Sequence, residues 1–189
     1  LETALADLID NSISASAQEV EIYCITNTES PYVAIIDNGW GMNEEDLITA
    51  MQHGGVPTQR KREQKDLGRF GLGLKTASFS QCRSLTVISK KENSPVTGLC
   101  WDLDFVAEQN DWVMRKLTEK EIQEIPHLSY IENHGTIVLW KKLDRLLEAE
   151  EGDKRSELVN TKLEAVRNHL SLVFHRFLDG ELKGLGFKK

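Results

Sequence analysis

Residues 68–76 read Gly68-Arg69-Phe70-Gly71-Leu72-Gly73-Leu74-Lys75-Thr76. Three glycines lead into a helix expected over about residues 72–81. Exposed backbone amides at a helix N-terminus, with the helix dipole behind them, hold phosphate well, and Lys75 adds a positive charge. The stretch imitates a P-loop, because Gly68 and Gly73 have the required separation and a Lys-Thr pair follows. Leu74, however, stands between Gly73 and Lys75. One inserted residue turns a helical position by about 100°, so the lysine would miss the phosphates that a P-loop lysine reaches. A P-loop also follows an apolar strand. Here residues 53–67 carry Gly54, Gly55, Pro57 and a charged run from Arg60 to Asp66, the composition of a loop. The dinucleotide fingerprint fails as well, since the spacing is G-x-x-G-x-G and not G-x-G-x-x-G. A phosphate-binding turn is therefore expected, but in neither of the two commonest nucleotide-binding frames.

Upstream, Asp37-Asn38-Gly39-Trp40-Gly41-Met42 follows directly on an apolar strand expected at 32–37. A carboxylate at a strand end can accept a hydrogen bond from an exocyclic amine such as that of adenine. Gly39 and Gly41 let the backbone turn sharply and approach a flat ring. The same residues also make an ordinary Asp-Asn-Gly turn, and alone they do not decide between the two. Further upstream, Leu1, Leu5, Leu8, Ile9 and Ile13 recur at helical spacing and predict a helix over 1–16. Asp7 and Asn11 are four residues apart on the polar face of that helix, with Ser14 a further turn along. A carboxylate and a carboxamide so placed can position a water and bind a hard cation such as Mg²⁺. Downstream, Gly135-Thr136 opens a strand expected at 135–141, a weak signal that gains weight only from its order after the other three.

The four segments in this order resemble the GHKL ATPases: gyrase B, heat-shock chaperones, sensor histidine kinases and mismatch-repair ATPases. Leu5–Ala17 resembles the N box, Asp37–Met42 the G1 box, Gly68–Ser78 the G2 box with residues 53–67 as the ATP lid, and Gly135-Thr136 the last, adenine-side motif. The sequences DNGWGM and the Lys75-bearing G2 box look most like MORC-like and MutL-like members. The resemblance implies a Bergerat-type α+β fold: a two-layer sandwich of a mixed, mostly antiparallel sheet with helices on one face and an ATP lid loop. It also implies ATP and Mg²⁺ as ligands. Asp7 would be the catalytic base that orients water, and Asn11 would hold the metal and touch the phosphates. Ala15, Asp37, Gly39, Gly41, Met42 and Thr136 would surround the adenine. Gly68, Phe70, Gly71, Leu72, Gly73 and Leu74 would offer the phosphate loop, and Lys75 would pair with the phosphates. Two positions depart from the family pattern. Asp7 stands where relatives carry glutamate, and Ser14 where many carry aspartate, so ATP binding is a firmer expectation than turnover.

Length and charge bound the rest. A chain of 189 residues suits one domain at 1–150, with 151–189 as an amphipathic helix and the start of a transducer-like second domain. That helix is expected over 156–178, with Leu163, Val166, Leu170, Val173, Phe174 and Phe177 on one stripe and Gly180 as its stop. Further strands are expected at 19–26, 84–90, 96–104 and 111–116. Asn43 should cap a helix through Met51, and Thr118 with Glu121 should form a capping box for a helix at 119–125. The net charge of −7 argues against a general nucleic-acid grip on this domain; nucleic acid would be contacted through further domains. Cys24, Cys82 and Cys100 form no C-x-x-C pair, which fits free thiols in a cytoplasmic setting. No apolar run reaches membrane-spanning length. The chain starts at Leu1 rather than Met and reads as a fragment. The functional expectation is slow ATP hydrolysis coupled to lid closure and a nucleotide-dependent homodimer. A histidine-kinase catalytic domain and a non-hydrolysing nucleotide-sensing module stand as alternatives.

Overall fold

The computed structural model describes residues 1–52, 73–147 and 152–175. Its strands are β1 (Val20–Ile25), β2 (Tyr32–Asp37), β3 (Ser84–Lys90), β4 (Thr97–Asp102), β5 (Arg115–Lys116) and β6 (Gly135–Lys141). Its helices are α1 (Glu2–Ser14), α2 (Glu44–Met51), α3 (Gly73–Phe79), α4 (Leu103–Gln109), α5 (Glu119–Gln123), α6 (Asp144–Leu147) and α7 (Gly152–Val173), with a 3-10 turn over Leu128–Ile131.

The apolar run Tyr32-Val33-Ala34-Ile35-Ile36 lacks the alternation of a half-solvated strand, so β2 needs cover on both faces. It has it: Val33 to Ile36 are all buried. Six strands lie in the order β1-β2-β6-β3-β4-β5, and every pairing between them is antiparallel. Because side chains alternate along a strand, the sheet has two separate cores. Val33, Ile35, Leu85, Val87, Leu99, Trp101, Val138 and Trp140 face α1, α2, α3 and α7. The two indoles keep their N–H groups satisfied in this core: Trp140 donates to Ser78 Oγ (2.8 Å) and Trp101 to the Met51 carbonyl (2.9 Å). Ala34, Ile36, Ile88, Cys100, Ile137 and Leu139 face the other way, where Leu117, Ile122 and Ile131 cover them.

The expected α+β fold is therefore present, with its long helices on one face; the sheet, expected to be mixed, is wholly antiparallel among the described residues. The second face is closed by the segment 117–131, which includes the short α5. That helix starts with the capping box read from sequence: Thr118 and Glu121 each bond the other's backbone, and these bonds hold the Glu121 carboxyl down to about 2. Asn43 caps α2 by accepting from the Asp46 amide. Strands 84–90 and 135–141 fall where expected.

Three elements differ from the sequence reading. The strand expected at 96–104 stops at Asp102, because that side chain caps α4 by accepting from the amides of Asp104 and Phe105. Lys142 then ties the same carboxylate to β6's exit. The strand expected at 111–116 shrinks to Arg115–Lys116, an edge with both side chains exposed. The C-terminal helix starts earlier, at Gly152, and seats Val159, Val166, Leu170 and Phe174 in the same core as Leu5 and Leu8 of α1. Val173, expected on that stripe, is 49% exposed. Phe177 and Gly180 lie outside the described residues.

Candidate functional site

Helix α1 turns Leu5, Leu8 and Ile9 inward, which leaves Asp7 and Asn11 exposed on the opposite face. Ser12 follows the buried stripe and is only 3% exposed. A hydroxyl among leucines needs partners. Its single proton is shared between the Leu8 carbonyl (3.2 Å) and Asp37 Oδ2 (3.1 Å). Helix α1 thus reaches the end of β2 through a residue that the sequence reading passed over.

Asp37 is 8% exposed. Its Oδ1 accepts from the Gly39 amide at 2.9 Å. Burial pushes its carboxyl above the usual carboxylate range, while the Gly39 amide, the Ser12 hydroxyl and nearby His134 hold it back. Among the described residues each oxygen has one protein donor, and an ionised carboxylate offers about four acceptor positions. The group therefore keeps acceptor capacity for a ligand.

The strand register places Asp37 beside Thr136, and Thr136 beside Ser89. The three side chains share the helix-facing side of β2, β6 and β3 and form a polar row across the sheet's end. Ser89 is fully buried. It accepts from the Met42 amide (2.8 Å), donates to the Gly135 carbonyl (2.9 Å) and meets Thr136 Oγ1 at 2.9 Å. One hydroxyl therefore fastens the Gly39–Met42 loop to the start of β6.

Two glycines are forced by the close approach of backbones. Gly41 has φ +65°, and a Cβ there would lie 1.9 Å from the Lys90 carbonyl oxygen. Gly135 has φ +141°, and a Cβ would lie 2.3 Å from the Asp37 carbonyl oxygen. No side chain fits at either position. Two further bonds set the loop. The Trp40 amide donates to the Ala15 carbonyl (3.1 Å), and His134 Nδ1 lies 2.7 Å from the Gly39 carbonyl. That carbonyl can only accept, so Nδ1 carries the proton. Asn38 faces away from this pocket and accepts from the amides of Gln18 and Glu19. Trp40 itself is 58% exposed.

Of the residues singled out in the sequence, Ala15, Asp37, Gly39, Gly41, Met42 and Thr136 come together here. Asp7 and Asn11 lie on the open face of the neighbouring helix. The hydroxyl of Ser14 is buried and has no hydrogen-bond partner among the described residues. Gly73 starts α3, where a Cβ would meet nothing within 4 Å among the described residues, and Leu74 packs on the core. Lys75 is 1% exposed, and its ammonium donates to the Gln52 carbonyl just past α2. Burial pushes its pKa down. In this structure it is a buried cation with a backbone carbonyl as acceptor and does not project into solvent. Gly68, Phe70, Gly71, Leu72 and the expected lid at 53–67 lie outside the described residues.

The sequence reading missed Ser12, Ser89 and His134. A serine on the apolar stripe of α1, and another on the buried face of β3 after Leu85 and Val87, were available signals. For His134 there was none. A cavity of about 990 Å³ lies elsewhere, among Thr86, Cys100, Arg115 and Lys142. Two of its cations are paired: Arg115 with Glu121, and Lys142 with Asp102 and Asp104.

Residues 1–136 match the family model of histidine kinase-, DNA gyrase B-, and HSP90-like ATPases. Among curated proteins, ATPase MORC2B of Mus musculus is 35% identical over 94 residues, 48% of this chain and 9% of that protein. ATPase morc-1 of Caenorhabditis elegans is 29% identical over 90 residues, 48% of this chain and 10% of that protein. The DNA mismatch repair protein MutL of Bacillus anthracis is 28% identical over 127 residues, 65% of this chain and 20% of that protein. The matched part thus spans about a tenth of the MORC relatives' length and a fifth of MutL's.

Proposed function

Since this chain belongs to the family of histidine kinase-, DNA gyrase B- and HSP90-like ATPases, we propose that it binds Mg-ATP with the adenine at Asp37 and hydrolyses it slowly. The observation that carries the reading is the buried Asp37 carboxylate, ringed by glycine backbone and holding acceptor positions beyond its two donors among the described residues. An adenine amine supplies the matching donor. Ala15, Met42 and Thr136 border the ring, and Gly39 and Gly41 let the loop close on it.

The α1 face serves the phosphate end. Asn11 offers a carboxamide oxygen and Asp7 a carboxylate, both hard donors of the kind Mg²⁺ accepts while retaining waters and phosphate oxygens. The metal, when bound, would neutralise charge on the phosphates. Asn11 would hold it, and Asp7 would orient a water and take its proton. An aspartate is one methylene shorter than a glutamate, and catalysis is sensitive to small displacements, so slow turnover is the expected behaviour. The glycine segment 68–74 would supply phosphate-binding amides. Lys75 would join them only by releasing the Gln52 carbonyl.

Lid closure over nucleotide and nucleotide-dependent pairing of two copies follow from the family reading, as does an intracellular setting. Among the described residues no helix is long and apolar enough to cross a membrane. Residues 1–150 would be the ATP-binding domain, with α7 leading toward a second one. Contact with nucleic acid would belong to further domains, as the mismatch-repair relative suggests. The departure at Asp7 keeps a second reading in play, a nucleotide-sensing module without turnover. It predicts tight ATP binding and no phosphate release.

Isothermal titration of Mg-ATP into the wild-type chain and Asp37→Asn tests the site. Removing the charged acceptor should weaken binding by roughly 10- to 100-fold, about 1.5–3 kcal/mol. Unchanged affinity in the variant would place the base elsewhere.

A further inference from the structure

The hydroxyl bonds around Ser89 fix more than the loop. A serine hydroxyl has one proton and two lone pairs. The Gly135 carbonyl, 2.9 Å away, can only accept, so Ser89 gives it that proton. The Met42 amide can only donate, so it occupies one lone pair of Ser89. The remaining contact, to Thr136 Oγ1 at 2.9 Å, can then be made only if Thr136 donates. Its proton is committed to the protein, and what Thr136 has left for a ligand is lone pairs alone. Its strand neighbour Asp37 is an acceptor too.

We propose that Ser89 is a positioning residue for base specificity: by taking the Thr136 proton, it makes Thr136 an obligate acceptor toward ligand. Two adjacent acceptors then select a purine bearing an amine at C6 and reject one bearing a carbonyl there. This rests on the ATP reading of the site. A binding site built to pair a donor discriminates strongly against an analogue that leaves its acceptors unpaired. The Ser89→Ala change frees the Thr136 hydroxyl to rotate and donate, so a C6 carbonyl becomes acceptable to it.

The probes are Mg-ATP and Mg-ITP, which differ at C6, titrated into the chain and its variants. Wild type should prefer ATP. Ser89→Ala should narrow the ATP/ITP affinity ratio about tenfold, the scale of one hydrogen bond gained or lost. A purely structural role for Ser89 would weaken both nucleotides equally and leave the ratio where it was; that result overturns the proposal. In a Thr136→Val background, adding Ser89→Ala should leave the ratio unmoved, because no hydroxyl remains to redirect. A further narrowing there would overturn it as well. Should Ser89→Ala not fold, Thr136→Val alone decides: a wild-type ATP/ITP ratio in that variant removes Thr136 from base reading. If the wild-type chain takes up neither nucleotide, the ATP reading itself falls and this proposal with it, a result distinct from binding without a change in ratio.

Discussion

The two ends of the proposed nucleotide site are built on opposite plans. At the adenine end, Asp37, Thr136, Ser89 and Ser12 are all buried, and each has its hydrogen-bond partners within the protein. Backbones touch at Gly41 and Gly135, where no Cβ fits. At the phosphate end, Asp7 and Asn11 stand exposed on one helix face, the Ser14 hydroxyl has no partner among the described residues, and Lys75 is turned onto the Gln52 carbonyl. In the proposed site the base end is thus pre-organised by the packed end of a sheet, while Asp7 and Asn11 wait on a surface for the ligand to organise them. Pre-organised contacts give affinity, and groups that position the attacking water give rate. The two properties should therefore be separable by mutation.

The adenine end should break hardest. Gly41→Ala puts a methyl 1.9 Å from the Lys90 carbonyl at a left-handed φ. The combined strain and overpacking should cost about 3 kcal/mol or more, read as a drop in thermal midpoint together with loss of ATP binding. A stable variant that still binds would show that this end is softer than the backbone contacts imply. A smaller and different effect is expected at the other end. Asp7→Asn, on an exposed helix face, should leave stability and ATP affinity near wild type and lower phosphate release at least about tenfold. Equal turnover in the variant would remove Asp7 as base. Lost affinity would show the two ends to be coupled and undo the contrast.

That contrast also separates what the sequence made legible from what it hid. Strands β1, β2, β3 and β6, α1, the cap at Asn43 and the capping box at Thr118 follow from periodicity and local hydrogen-bond chemistry, which short windows contain. Asp37, Gly41 and Thr136 were identifiable because a motif keeps them at fixed offsets. Ser89 and Ser12 left only the trace of a serine on an apolar stripe, since what each bonds is set by registers and packing between segments far apart in the chain: Ser89 to Met42 spans β3 and the Gly39–Met42 loop, and Ser12 to Asp37 joins α1 to β2. Helix α4 was hidden for a related reason. Its start depends on Asp102 capping in place of continuing β4, a choice between two local preferences that the Lys142 contact supports from a distance. Lys75 shows the converse. A motif position suggests a phosphate partner, and in the structure its buried ammonium donates to the Gln52 carbonyl, a contact that no local window contains.

The smallest expected effect is also the sharpest on the adenine end, because it has two readouts of opposite sign. Burial raises the Asp37 carboxyl above its ordinary 3.8. Acidification through that raised value adds a proton to Asp37, converting one acceptor into a donor, so ATP affinity should fall a few-fold at a pH where an ordinary aspartate is still ionised. Stability moves the other way. A carboxyl whose folded-state pKa lies above its unfolded value contributes stability that is present below the unfolded value and is lost as pH rises through the folded one. The wild-type chain should therefore gain stability relative to Asp37→Asn on acidification through that window while its ATP affinity declines, and Asp37→Asn should show neither trend. General acid unfolding would lower both quantities together in both proteins. Parallel titrations and melts of the two proteins across that window separate the cases, and a wild-type affinity that stays flat until ordinary carboxylates protonate would mean that water reaches Asp37 and the adenine end is as open as the phosphate end.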